Sequence, residues 1–310
     1  MPDRIEIKRR IIEGARDGPH LLITGGVHGD EFEPMAAIRR LLRQVDSSKL
    51  GGRLVLVPVV NEAAFENRFR WAEDGLDLAR VCPGKVDGSV TERTAHALAQ
   101  LIGEADFYID LHTGGTIMSV WPLAGYCLHV DPKILHLQRE MAKAFNLPLV
   151  WGTSGKLQGR SLSVARDANV PAIYTEYHGS ATMNLQGVED YVDGCLNVMG
   201  MLEMIDREAP ANRGSRIEYV VEDNREHAGF MQIQNPSPMA GFFEPQVVLG
   251  QRVRVDDPIG TVCDVLGDRV ETIRSSQDGI VLTLRTFCRV DKDESLGVIV
   301  ETDRVVSHDN

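Results

Sequence analysis

A chain of 310 residues with 43% hydrophobic residues and a formal net charge of -12 can bury a large core, and its length predicts about two domains. The acidic balance argues against a nucleic-acid or anionic-membrane partner, since both would need basic stripes on the protein. The five cysteines form no Cys-x-x-Cys pair, the N-terminus has no apolar signal segment, and no run of about eighteen apolar residues occurs. We therefore expect a cytoplasmic protein.

Residues 21–34 predict a short buried strand, a loop and the start of a helix. The apolar run at 21–23 favours the strand, a glycine pair after it allows a tight exit, and Pro34 suits a first helical turn. His28 and Glu31 therefore fall in the strand-to-helix loop. The apolar positions on the inner side of this helix are Met35, Ile38, Leu41, Leu42 and Val45.

The spacing His28-x-x-Glu31 suggests half of a metal site. Ligands usually bind at the carboxyl ends of strands in an open α/β sheet, and an imidazole and a carboxylate three residues apart can reach one cation. Glu31 could instead simply favour the positive end of its helix, and Asp30 and Glu33 are rival ligands. A nucleotide site is poorly supported, because the full Gly-x-Gly-x-x-Gly spacing and a P-loop lysine are both missing.

A second predicted strand at residues 53–60 is followed by a long polar loop at 61–88, which contains Arg68, Arg70 and Arg80. A connection of this length inside a domain is more often functional than idle. Its arginines could hold a substrate carboxylate or stabilise an oxyanion, although loop arginines are usually just solvated.

A capping-box pattern at residues 89–92 opens the next predicted helix, and a strand at 107–111 follows it. His112 leaves this strand much as His28 leaves the first one. Asp110 shares a strand face with His112 and could orient its imidazole. The alternative is that His112 is a capped or core histidine. With Glu31, the two histidines would make a His2Glu set, which is a known catalytic zinc set with water in the fourth position.

Helices are predicted at 132–145, 161–168 and 185–205, and a strand at 171–176 ends on Glu176. A lone carboxylate beside a metal site could serve as general base, with His178 as its rival. The non-functional alternative is that Glu176 is a surface residue at a strand end. The apolar setting from Tyr174 to Tyr177 argues against it, because an unpaired carboxylate is costly there.

Alternating strands and helices predict an α/β fold with a largely parallel sheet covered on both faces, ending in a breaker-rich stretch at 209–215. Residues 1–215 would form this catalytic domain and retain the metal site alone. Residues 216–310 would form a small all-β domain whose weak repeat, Val253-x5-Ile259-Gly260 and Val290-x5-Leu296-Gly297, resembles the barrel-sandwich hybrid of lipoyl and biotinyl domains. No lysine lies between the two copies, which argues against a carrier role.

Taken in order, His28-x-x-Glu31, the 74–84 loop, Asp110-Leu-His112 and Glu176 resemble the succinylglutamate desuccinylase/aspartoacylase family of the zinc carboxypeptidase-like group. The resemblance covers nearly the whole chain. It implies a carboxypeptidase-like mixed sheet and one zinc ion per chain, held by His28, Glu31 and His112.

The resemblance further implies hydrolysis of an N-acyl amide on a small acid by a metal-activated water, with Glu176 as catalytic base. Arg70 matches the arginine that polarises the scissile carbonyl, although Arg68 stays an alternative, and Arg80 matches the arginine that binds the substrate carboxylate. The family usually has asparagine where this chain has Ala79, which puts the usual substrate in doubt.

The partner implied is thus a small N-acylated amino acid or a related anionic compound. A non-catalytic metal-binding homologue and a metallocarboxypeptidase acting on peptides are the alternatives. The sequence leaves the acyl group, the leaving amine and the choice between monomer and homo-oligomer open.

Overall fold

The computed structural model describes residues 5–302, and its strands form one large mixed sheet and one four-stranded sheet. In chain order the strands are β1 (Arg10–Glu13), β2 (Arg16–Thr24), β3 (Gly51–Val57), β4 (Phe107–Leu111), β5 (Met118–Cys127), β6 (Leu149–Thr153), β7 (Ala172–Gly179), β8 (Tyr219–Glu222), β9 (Gly241–Pro245), β10 (Arg252–Val253), β11 (Pro258–Cys263), β12 (Val270–Arg274), β13 (Gly279–Arg285), β14 (Arg289–Val290) and β15 (Gly297–Val300).

The helices cover both faces of the large sheet, and in residues 5–302 none of them is long and apolar enough to cross a membrane. They are α1 (Phe32–Gln44), α2 (Glu62–Asn67), α3 (Leu78–Val81), α4 (Val90–Gly103), α5 (Pro132–Phe145), α6 (Ser161–Asp167), α7 (Leu185–Met201) and α8 (Pro210–Arg213). Apolar side chains of α1, α5 and α7 are buried on one face, and those of α4 and α6 on the other. The predicted α/β fold with both faces covered is confirmed.

Five helices agree with the sequence prediction, including the reciprocal capping box of Ser89 and Glu92 at the start of α4. The prediction of a long polar loop at residues 61–88 is wrong in part, because α2 and α3 lie within it. Both helices are capped by a polar side chain: Asn61 accepts from the Ala64 amide, and Asp77 accepts from the Ala79 amide at 2.9 Å. These caps fix the course of the loop beside the predicted site.

The strand order β1-β3-β2-β4-β7-β5 places the predicted histidines side by side. Strands β3, β2, β4 and β7 run parallel, whereas β1 pairs antiparallel with β3 and β5 pairs antiparallel with β7. His28 follows β2 and His112 follows β4. Because β2 and β4 are adjacent and parallel, the two loops leave the same edge of the sheet.

The prediction that Glu176 ends its strand is wrong, because β7 continues to Gly179. The antiparallel strand β5, which the local pattern did not predict, pairs with this extension and places Leu123 opposite Glu176 and Val120 opposite His178. Glu176 therefore projects from within the sheet, where backbone hydrogen bonds on both sides fix its position.

Every element described between residues 216 and 302 is a strand, and these strands belong to both sheets. Strand β8 extends the large sheet beside β6, and β13 pairs with β5. The four-stranded sheet, in the order β12-β11-β9-β14, shares an apolar cluster with β13 and β15 of the large sheet. A domain boundary at residue 215 and the barrel-sandwich likeness stay predictions.

We expect a chain that ends at residue 215 to lose cooperative folding, contrary to the independent catalytic domain that the sequence predicts. The reason is a shared apolar cluster, in which Leu123 and Trp151 pack with Ile280, Leu282 and Val298. Truncation would expose this cluster and the edge of β5 to water. Thermal unfolding followed by circular dichroism decides: a cooperative transition in the truncated chain near that of the full chain would contradict the expectation.

Candidate active site

His28, Glu31 and His112 come together at the edge of the sheet where β2 and β4 end. The Nδ1 atom of His28 lies 2.7 Å from Glu31 Oε1, and the Nδ1 atom of His112 lies 3.1 Å from Glu31 Oε2. One ligand atom of each residue lies within 4.8 Å of the other two, and all three side chains are buried. Among residues 5–302, this is the group of histidine, cysteine and carboxylate side chains that could hold a metal ion.

A carboxylate faces the other ring nitrogen of each histidine. The Nε2 atom of His28 lies 3.1 Å from Asp77 Oδ1, and that of His112 lies 3.0 Å from Asp110 Oδ2. The predicted contact of Asp110 with His112 is thus confirmed. Such contacts fix the tautomer and the ring orientation of metal-binding histidines. Two nitrogens and a carboxylate with outer partners of this kind are the donor set that zinc prefers, so the residues fit a zinc ion.

Electrostatics keep the central carboxylate ionised. Burial alone would raise the pKa of Glu31, but the two neighbouring histidines outweigh burial and hold this pKa well below its usual range. The Thr113 amide also donates to Glu31 Oε2 at 3.1 Å. Glu31 is therefore a charged carboxylate in a buried setting, where an unpaired anion would otherwise be unfavourable.

Asp110 is fixed from both sides. Its Oδ1 accepts a hydrogen bond from Thr24 at 2.8 Å, and its Oδ2 accepts one from Ser161 at the start of α6. Tyr191 of α7 donates to the backbone carbonyl of His112. Residues from β2, α6 and α7 thus hold the His112 imidazole in one orientation.

The rival ligands Asp30 and Glu33 are directed elsewhere. Asp30 Oδ2 accepts from the Thr116 amide and Glu33 Oε1 accepts from the Asn184 amide, each at 2.8 Å. Neither belongs to the metal-capable group. Both connect the loop of His28 to neighbouring segments.

Asp77 contacts both His28 of the metal-capable cluster and the side chain of Arg70. Arg70 donates through Nε and Nη2 to Asp77 Oδ2 at 3.1 and 3.0 Å, and its Nη1 lies 3.6 Å from Glu31 Oε1. Burial would lower the pKa of Arg70, but Asp77 and Glu31 raise it above its ordinary value. Arg68, by contrast, ends α2 with a left-handed φ of 60° and is exposed, outside the pocket lining.

Glu176 is 9% exposed and faces the same pocket, with its Oε2 atom lacking a hydrogen-bond partner among the described residues. Burial raises its pKa to about 8; nearby His112 lowers this pKa and Glu31 raises it further. The rival base His178 lies outside the pocket lining and is held through its backbone carbonyl, which accepts from the Gly114 amide. Glu176 is thus a buried pocket carboxylate with a raised pKa, and its Oε2 atom can accept a proton or a hydrogen bond from a ligand.

The pocket that joins these groups has a volume of about 130 Å³ and opens to solvent. Arg70, Ala79 and Arg80 line it, as the sequence predicts for residues that face a substrate. Arg160, Gly229, Met231 and Gln232 also line it, and no local sequence pattern points to them. Arg160 precedes a short helix and the loop with the other three residues follows some seventy residues later, so no local sequence pattern indicates that the two meet at one pocket.

Arg80 and Arg160 have neutral partners. Arg80 donates to the Ala79 carbonyl at 2.7 Å and to Gln232 Oε1 at 3.0 Å, and Arg160 donates to the Gly229 carbonyl at 3.1 Å. Burial lowers the pKa of Arg80 to about 10 and also lowers the pKa of Arg160. The pocket thus contains two half-buried guanidinium groups without a carboxylate in ion-pair contact among residues 5–302, an arrangement that favours an anionic ligand.

Residues 17–202 match the family model of the succinylglutamate desuccinylase/aspartoacylase catalytic domain. The N-alpha-acetyl-L-2,4-diaminobutyric acid deacetylase of Halomonas elongata is 28% identical over 292 residues, which cover 92% of this chain and 83% of that protein. The crystal structure of a succinylglutamate desuccinylase/aspartoacylase from Rhodobacter sphaeroides has a TM-score of 0.86 at 26% identity, covering 96% of this chain and 89% of the other. The product-bound ectoine utilization protein EutE (DoeB) of Ruegeria pomeroyi shares the fold, with a TM-score of 0.85 at 24% identity and coverage of 96% and 90%.

Proposed function

Because this chain belongs to the succinylglutamate desuccinylase/aspartoacylase family, we propose that it is a zinc-dependent deacylase that hydrolyses the amide bond of a small anionic N-acylated amino acid. The observation that carries the proposal is the pairing of the His28, Glu31 and His112 cluster with the unpartnered Glu176 carboxylate in one pocket. The similarity to a deacetylase of an N-acetylated amino acid supports the reaction class.

In this proposal His28, Glu31 and His112 hold the zinc ion. When bound there, zinc supplies Lewis-acid chemistry that lowers the pKa of water and polarises an amide carbonyl. Asp77 and Asp110 keep the two imidazoles oriented, through the contacts described above.

Glu176 acts as the proton carrier. It takes a proton from the attacking water as the new carbon–oxygen bond forms, and it gives this proton to the nitrogen as the carbon–nitrogen bond breaks. The products are a carboxylic acid and a free amine, so the atoms balance without a further reactant. Burial suits Glu176 to this role, because a carboxylate with a raised pKa accepts a proton more readily.

The arginines bind the substrate. Arg70 lies beside the metal-capable cluster and would stabilise the negative charge that develops on the carbonyl oxygen. Arg80 and Arg160 would hold the carboxylate of the amino acid, since both guanidinium groups line the pocket and have neutral partners. The exposed position of Arg68 favours Arg70 over Arg68 for the first role.

The direct test is to load the purified protein with zinc and to screen N-acetyl, N-succinyl and N-formyl amino acids, together with N-alpha-acetyl-L-2,4-diaminobutyrate. We expect about one zinc per chain and release of a free amine from at least one compound. A protein that binds zinc but hydrolyses none of them is the non-catalytic homologue. Cleavage of C-terminal residues from peptides in preference to acyl-amino acids would instead support the metallocarboxypeptidase.

We expect the kcat/KM of this reaction to rise with pH on the acidic side, because Glu176 must be ionised to accept a proton. Its pKa is raised by burial from the ordinary 4.5 to about 8, and a bound cation would lower it again. The midpoint of the rise should therefore lie above 4.5 and no higher than about 8. Full activity already present at pH 4.5, with zinc still bound, would contradict this assignment of the base.

Ala79→Asn should raise kcat/KM for ordinary N-acyl amino acids relative to the native substrate, because Ala79 lines the pocket next to Arg80. The added amide can donate one hydrogen bond to a carboxylate, which corresponds to a gain between a few-fold and about a hundredfold. The gain should vanish when Arg80→Ala is added, since both residues would hold the same group. An unchanged substrate ranking in folded, zinc-loaded Ala79→Asn would show that this position does not contact the substrate.

A further inference from the structure

Phe230 contacts both Arg80 and Arg160, the pocket arginines without a carboxylate in ion-pair contact among the described residues. The Cζ atom of Arg80 is 5.2 Å from the centre of the Phe230 ring, and the Cζ atom of Arg160 is 5.6 Å from it, each over the ring. One aromatic ring thus contacts two guanidinium groups that come from distant parts of the chain, the first from α3 and the second from the start of α6.

Each half-buried guanidinium already has hydrogen bonds to neutral oxygens and the more distant attraction of Asp77 and Glu176, and the ring contact adds to these. A guanidinium over an aromatic face is attracted by the ring quadrupole, and this attraction strengthens where water is excluded. Arg80 and Arg160 also repel each other, which helps to lower the pKa of Arg80 below its ordinary value. Without the ring, the hydrogen bonds to neutral acceptors would have to hold the two guanidinium groups in place against this repulsion.

Two hydrogen bonds hold the backbone that leads into Phe230, which restricts the position of the ring. The Phe230 amide donates to the His227 carbonyl at 2.9 Å, and the Gly229 carbonyl accepts from Arg160 at 3.1 Å. The segment at 229–232 lies beyond β8, outside the residues that carry the metal cluster and the base. It reaches the pocket from the C-terminal part of the chain.

We propose that Phe230 is a positioning residue that holds Arg80 and Arg160 together as one clamp for the carboxylate of the substrate. The clamp acts on binding of the anionic end, and Glu176 and the metal cluster act on the amide bond. This inference rests on the proposed function, because it takes the bound anion to be the carboxylate of the acylated amino acid.

The clamp predicts an effect that depends on substrate charge. Phe230→Leu should raise KM for an anionic acyl-amino acid about 5- to 30-fold, the size of one or two lost cation–π contacts, with kcat within about twofold of wild type. Phe230→Trp should restore most of the affinity, because indole is the better cation–π partner. Phe242→Leu is the matched control, since Phe242 lies exposed on β9, outside the pocket lining and without a cation–π contact to either arginine.

A matched pair of probes separates the clamp from general damage to the pocket: N-acetyl-L-alanine and N-acetyl-L-alaninamide differ at the carboxylate alone. Calorimetric titration of the zinc-loaded full chain, carried out with Glu176→Gln so that nothing is consumed, should show tighter binding of the acid. Adding Phe230→Leu should remove most of this preference. Equal weakening for both probes, a fall in kcat at unchanged KM, no rescue by Phe230→Trp, or no preference for the acid in the parent protein would overturn the proposal.

Failure of the proposed function gives a different result. The protein could bind the acid more tightly than the amide, lose this preference in Phe230→Leu, and yet release no amine from any acyl-amino acid. That result would support the clamp and contradict the deacylase assignment. Hydrolysis of N-acyl amino acids with no effect of Phe230→Leu on KM would support the deacylase assignment and contradict the clamp.

Discussion

Glu176→Gln should lower kcat by about 10²- to 10⁴-fold while zinc stays bound, because general acid–base catalysis contributes about this much and glutamine cannot accept the proton. The substitution keeps the size of the side chain, and Glu176 does not belong to the metal-capable group. Amine release and elemental analysis on the same preparation measure both quantities. Loss of zinc together with activity would show that Glu176 supports the metal instead.

His178→Asn is the matched control for this experiment. His178 is the rival base two residues along β7, and its backbone has a left-handed φ of 44°, which asparagine tolerates. We expect kcat to stay within a few-fold of wild type. A large loss of kcat in His178→Asn, with Glu176→Gln nearly active, would reverse the assignment.

The stability of the Glu176→Gln variant gives independent evidence that this variant is folded. In the unfolded chain a glutamate ionises near pH 4.5, whereas burial raises the pKa of Glu176 in the folded protein to about 8. The folded state therefore binds the proton more tightly, and the free energy of unfolding of the metal-free protein should fall as pH rises through this window. Glutamine cannot ionise, so Glu176→Gln should be more stable than wild type at pH 8, by up to a few kcal/mol, and similar to it below pH 4.5.

The cluster of His28, Glu31 and His112 could be predicted because each residue follows a strand with a clear local pattern. Adjacent parallel strands bring their carboxyl ends to one edge, so local pattern and topology together specify the cluster. Asp110 could be predicted for the same reason, since two residues along a strand share a face. Glu31 was distinguished from Asp30 and Glu33 by the ordered resemblance, and the geometry agrees with that choice.

The pocket walls could not be predicted, because they depend on pairings between distant segments. Strand β5 joins β7 on one side and β13 on the other, and neither pairing leaves a trace in local periodicity. The same holds for Phe230, which reaches Arg160 across seventy positions of the chain. Glu176 was found by residue type and order, but its place inside a strand follows from the antiparallel partner that the sequence did not reveal.

Glu31→Gln should weaken zinc binding at least about a hundredfold. Loss of an outer partner alone typically costs 10- to 100-fold in metal affinity, and Glu31 lies directly between the two histidines. A neutral amide would replace the one negative charge among the three proposed ligands, and its nitrogen cannot bind a cation. Zinc retained after dialysis against a chelator, measured by elemental analysis, reports the effect.

Glu33→Gln is the control that tests whether the effect belongs to the cluster. Glu33 is buried in the first turn of α1, two residues after Glu31. Burial raises the pKa of Glu33, so a neutral side chain is tolerated better there than at an exposed carboxylate. Glu33 Oε1 accepts a hydrogen bond from the Asn184 amide, and the side-chain oxygen of glutamine can accept the same bond. We therefore expect Glu33→Gln to keep its zinc. Equal losses in the two variants would mean that any change at the start of α1 disturbs the site, whereas zinc retained by Glu31→Gln would remove Glu31 from the ligand set and leave Asp30 as the carboxylate to test next.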